Sequence, residues 1–99
     1  MQKYLNDITE DASKLVEELA SYFFTPREIA VMIEIHPDDA IILMKIDDSA
    51  FYIAFQKGRL QSEMELRKSI IKLARAGSSP AQTMSLDLLN KSRAKMLDQ

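Results

Sequence analysis

Apolar side chains recur at three- and four-residue spacing through most of this chain, and no alternating strand pattern survives. Ile8, Leu15, Leu19 and Tyr22, widened by Ala12, Val16 and Phe23, predict a first helix from about Thr9 to Phe23. Asp7 or Thr9 can cap it, and Glu10-Asp11 suit the positive first turn. Thr25-Pro26-Arg27-Glu28 then reads as a strong helix start, with a capping threonine, proline at the first position and Glu28 closing a capping box. This second helix carries Ile29, Ala30, Met32 and Ile33 and ends near Glu34. His36-Pro37 forces a turn, because the residue before proline avoids helical angles. Pro37-Asp38-Asp39 opens a third helix with Ala40, Ile41, Leu43 and Met44, although Ala40–Ile46 is isoleucine-rich enough to be mistaken for a strand. Asp47-Asp48-Ser49 marks the next junction and can cap a fourth helix.

That fourth helix spans about Ala50 to Ala76. Gly77 stops it, as the residue type that tolerates the left-handed end of a helix. Ser78-Ser79-Pro80 restarts the chain, a capping serine followed by proline at the first helical position. The fifth helix runs from Pro80 toward Met96 and weakens after Asn90, where polar residues dominate. The expected fold is all-α: a short three-helix, helix-turn-helix-like unit in residues 1–48, then a long antiparallel helical hairpin in 49–99.

The fourth helix shows two apolar arcs. Ile53, Leu60, Met64, Ile71 and Ala74 line one; Phe51, Phe55, Leu66, Ile70 and Leu73 line the other. Two faces imply two partners, and a neighbouring subunit is the candidate for one of them. Leu60, Met64, Leu66, Ile70 and Leu73 are therefore candidate oligomer-interface residues, and a central helix buried within a monomer is the competing reading. Between the arcs, Arg59, Glu63 and Arg67 can pair along the helix or across an interface between like subunits. Gly58 within a helix costs roughly 1 kcal/mol against alanine, so a close helix approach or a kink is expected there.

Charge changes the picture more than composition does. Residues 1–48 hold four basic and eleven acidic side chains, a net of −7, whereas residues 49–99 hold nine and four, a net of +5. The C-terminal half is thus the candidate for anionic partners, and opposite halves of neighbouring subunits attract. Lys57, Lys68, Lys72 and Arg75 share one face of the fourth helix and are candidate nucleic-acid contacts, with Arg27 and Lys45 the candidates in the first half. A solvated charged face is the plain alternative.

Ninety-nine residues suffice for one compact domain or two small helical units, burying roughly 65% of the unfolded surface without metal or disulfide. The chain has no cysteine, which removes disulfides, thiolate zinc sites and cysteine nucleophiles together and suits a reducing cytoplasm. No signal peptide is visible at its start, and Lys3 and Tyr4 are uninformative. The longest apolar runs, Ala40–Met44 and Ala50–Phe55, are far short of the ~20 residues that span a membrane. No metal, cofactor or catalytic set emerges: His36 is the sole histidine and reads as structural, and Asp38-Asp39 and Asp47-Asp48 are better explained by capping than by acid–base work.

Residues 25–44 fit a helix-turn-helix, with Glu28-Ile29-Ala30, Ile33, Ile35 and Ala40 in register, and three short helices of a core bundle fit equally. Glu34 stands where that motif usually carries glycine, which leaves a different turn open. Asp38 and Asp39 would face phosphates, so an isolated 1–48 unit should bind DNA weakly or not at all. Thr25-Pro26-Arg27-Glu28-Ile29-Ala30, then Phe51-Tyr52 and Gly58-Arg59 through Gly77 and Ala81-Gln82, together resemble the small terminase subunits of phages over roughly residues 20–90. The resemblance implies a non-enzymatic, ring-forming homo-oligomer in a phage-infected or prophage-bearing bacterial cytoplasm. It would bind double-stranded viral DNA and pass it to a large terminase subunit during genome packaging. A DNA-independent helical adaptor for another protein is the competing class.

Overall fold

The computed structural model describes residues 7–99, and Lys3 and Tyr4 lie outside them. The described chain is all-helical: α1 (Glu10–Ser21), α2 (Pro26–Met32), α3 (Pro37–Met44), α4 (Ala50–Arg75) and α5 (Ser79–Met96). It divides into two compact units, one ending at Ser62 and the other comprising Glu63–Gln99. The boundary falls inside α4 rather than at residue 48, because the first turns of α4 complete the core of the first unit. Ala40–Ile46 is not a strand; Pro37 at the first helical position starts α3 there.

Local chemistry sets the helix starts. Thr9, not Asp7, caps α1, its hydroxyl accepting from the Ala12 N–H at 3.2 Å. Thr25 and Glu28 form the full capping box of α2, at 3.2 and 2.9 Å. His36 caps α3: its Nδ1 accepts from the Asp38 N–H at 3.0 Å. Ser78 caps α5, which places Ser79 first and Pro80 second in the helix. Beyond Asn90 the helix continues to Met96, supported by a Lys91–Asp87 pair at 3.0 Å one turn apart.

The helix ends are less expected. α1, α2 and α4 all close with the paired 6→1 and 5→2 backbone bonds of a Schellman turn. Only α4 uses glycine, Gly77 at φ 104°. α1 turns on Phe23 at φ 71° and α2 on Glu34 at φ 64°. Phe23 is thereby excluded from α1, which stops two residues before the periodic pattern does.

The first unit buries Val16, Leu19 and Ala20 of α1, Ile29 and Ala30 of α2, Ala40 and Leu43 of α3, and Phe51, Ala54 and Phe55 of α4. Phe51, Ile29 and Val16 are fully enclosed. Asp7, 43 residues before α4, accepts from the Ala50 and Phe51 N–H groups, while Ser49 accepts from Tyr52 at 3.0 Å. Ser49 also donates to the Leu43 carbonyl at 2.8 Å, so three open donors of α4 and the end of α3 are satisfied together.

Gly58 permits a close helix approach. A Cβ placed there would lie 2.0 Å from the Glu17 carbonyl oxygen and 3.1 Å from the Ala20 methyl. A close helix crossing, not a kink, explains this glycine. One residue on, Arg59 donates to the Ala20 carbonyl at 3.4 Å and the Phe24 carbonyl at 3.3 Å. Its guanidinium stands 5.0 Å from the Phe55 ring centre and 5.6 Å from that of Phe23. Ser62 donates to the Ser21 carbonyl at 2.7 Å. Arg59 is thus committed to the end of α1 rather than to an ion pair along α4.

The second unit is thinner. Its turn carries Ser78 N–H to the Leu73 carbonyl at 3.0 Å, and Gln82 Nε2 donates to the Ala74 carbonyl at 3.0 Å. Ala81 is its sole buried residue.

Gly58→Ala should lower stability by at least about 2 kcal/mol, since backbone, not a flexible side chain, blocks the added methyl. Urea unfolding followed by circular dichroism measures it; a loss under about 0.5 kcal/mol, within the range of ordinary surface changes, would show that the crossing is not tight.

Candidate nucleic-acid and self-association surfaces

In the first unit, α2 and α3 are joined by a short turn at 33–36. The turn has the left-handed residue that glycine usually supplies, here Glu34. Holding an L-residue in this conformation costs roughly 1–2 kcal/mol. The turn is left-handed at Glu34, which carries the strain.

The outward side of this element is acidic. Arg27 binds Asp38 at 3.0 Å, both side chains more than half exposed. Its charge is therefore already matched, and it offers little to a phosphate. Glu34, Asp38 and Asp39 surround the start of α3. Lys45, the α3 C-cap residue, is exposed and forms no ion pair among the described residues. His36 Nδ1 lies 3.8 Å from the Asp38 carboxylate, and its shorter contact is the capping one, to the Asp38 N–H at 3.0 Å.

Lys57 belongs to the first unit, where it reaches Glu17 of α1 at 3.9 Å. In the second unit Lys68, Lys72 and Arg75 follow one another at four- and three-residue spacing on α4. Lys68 pairs loosely with Glu65 at 3.6 Å, an exposed contact worth well under 1 kcal/mol. Lys72 and Arg75 are exposed and have no ion-pair partner among the described residues. No acidic residue occurs from 66 to 86, so this strip keeps its positive charge.

The candidate interface residues divide. Leu60 in the first unit and Met64, Leu66 and Leu73 in the second are 49–59% exposed. Ile70 is half-buried within its own unit, on the side of α4 that also carries the half-buried Ala74. Ile71 and the α5 residues Met84, Leu86 and Leu89 are further exposed apolar side chains, which the two-arc reading of α4 did not weigh together. Glu63 and Arg67 pair at 3.4 Å along the helix. Val31 and Ile42, which the sequence reading named in neither helix, are exposed, at 67% and 44%.

Among the described residues no three His, Asp or Glu side chains gather as metal ligands, and no helix is long and apolar enough to cross a membrane. No family model, curated protein or solved structure matches the chain.

Glu34→Gly should raise stability by about 0.5–1 kcal/mol, the relief at a left-handed position less glycine's extra unfolded-chain entropy. A thermal melt reads this as an upward shift of several degrees for a domain this small. A fall in the midpoint would mean that the turn is not left-handed in solution.

Proposed function

We propose that the chain is a non-enzymatic, self-associating DNA-recognition protein of the small-terminase kind. It would act in viral genome packaging inside a bacterial host and engage double-stranded DNA and a large terminase subunit. One observation carries the reading: two short helices joined by a left-handed turn are followed by a hairpin whose large apolar side chains remain in solvent. Full burial of each such side chain is worth roughly 1.5–3 kcal/mol, and several half-exposed ones together reach the several kcal/mol that association costs. Phosphate binding falls to Lys68, Lys72 and Arg75, because the start of α3 is acidic and Arg27 is already bound to Asp38. The same acidity favours a second reading, a DNA-independent helical adaptor that assembles identically and binds only protein.

Two measurements separate these readings. Replacing Lys68, Lys72 and Arg75 with glutamine should weaken duplex binding. It should also lower the log–log salt slope by roughly two to three, about 0.9 for each phosphate no longer neutralised. Absence of duplex binding by the unaltered chain at low salt selects the adaptor. Loss of binding on changing Arg27 and Lys45 alone would move the DNA-binding surface to the first unit.

Light scattering on the full chain tests assembly. Met64→Glu with Leu66→Glu, both at exposed positions, should give a folded monomer. Unaltered chain that scatters as a monomer at tens of micromolar removes self-association from both readings.

A further inference from the structure

Two mixed surfaces of opposite charge lie open, one in each unit. The strip on α4 sets Lys68, Lys72 and Arg75 beside Met64 and Ile71, which are 49% and 39% exposed. At the α2–α3 corner, the end of α2 and the start of α3, Glu34, Asp38 and Asp39 lie within four residues along the chain of Val31 or Ile42, which are 67% and 44% exposed. Each has an apolar component that water disfavours and a charge that repels its own kind. Strip against strip would bring three cations onto three, with no carboxylate from 66 to 86 to separate them. Corner against corner would oppose carboxylates.

We propose that the α4 strip of one copy docks on the α2–α3 corner of a second copy, so that the chain assembles head to tail. Met64 and Ile71 cover Val31 and Ile42, and the cations meet Glu34 and Asp39, Asp38 being held by Arg27. Such an interface uses different patches on the two copies, unlike a two-fold dimer. The inference rests on the self-association reading and names its counter-surface. The corner carboxylates and DNA phosphates then become alternative anions for the same cations.

The test compares masses of full-length chains by sedimentation and light scattering at low and about 1 M salt, where screening reaches within about 3 Å. One chain carries Lys68→Glu, Lys72→Glu and Arg75→Glu, a second Glu34→Lys and Asp39→Lys, and a third all five. Asp38 is left in place because it holds Arg27. The first two chains should each associate at least about tenfold more weakly than the unaltered protein, as expected for reversing close interfacial charge pairs. The third, and an equimolar mixture of the first two, should regain assembly. Circular dichroism checks folding. If a lysine at the start of α3 unfolds the second chain, Glu34→Gln with Asp39→Asn replaces it and should weaken association and its salt dependence.

Unchanged mass in both reversed chains, or no recovery on mixing, overturns the docking. Assembly that survives the reversals but disappears on Met64→Glu with Leu66→Glu does the same and leaves self-association standing. Recovery on mixing, with an unaltered chain that binds no duplex at low salt, keeps the docking and removes the DNA reading. A monomeric unaltered chain removes both self-association and docking.

Discussion

The first unit depends on the crossing of α1 and α4 at Gly58. Two helices packed through ordinary side chains keep their axes about 8–10 Å apart. Here the Glu17 carbonyl occupies the space a Cβ would need. That proximity lets the next turn of α4 reach the end of α1. Arg59 and Ser62 then bond the Ala20, Ser21 and Phe24 carbonyls, three acceptors at or just past a helix end. The glycine's intrinsic helix cost is offset by interactions available only at this separation.

The opposite end of the unit is closed in the same manner. α4 has no acidic residue in its first turn to meet its positive end. Asp7 supplies the carboxylate from the far side of the sequence, and Ser49 links the start of α4 to the end of α3. Packing of Phe51 and Phe55 is thus framed by hydrogen bonds at both ends of the buried segment. Left-handed residues at Phe23 and Glu34 set the chain reversals between α1, α2 and α3. Their conformational cost is borne because the Schellman bonds and the core hold them in place.

The second unit is built on a different balance. Its turn is locally ideal, with Gly77, a serine cap and an early proline. Its interior is one alanine and a few half-buried side chains, too little apolar burial to dominate the conformational entropy of 37 residues. The hairpin therefore gains from any surface that covers its apolar side chains and answers its unrelieved positive charge from 66 to 86.

Although Gly58 left a close approach and a kink both open, existence and type of all five helices were legible in the sequence, as were the capping box at Thr25 and the stop at Gly77. These follow from local chemistry and periodicity, which act within a turn or two. The charge asymmetry was equally legible, because it needs no geometry. The destination of Asp7 and the role of Arg59 were not, since each partner lies about 35–45 residues away. Nor was the division within α4: Leu66 and Ile70 share an arc on a helical wheel, yet one is exposed and the other half-buried. Periodicity states which side chains share a face of a helix. Only the tertiary structure decides which face another helix covers, because burial is a property of the pair.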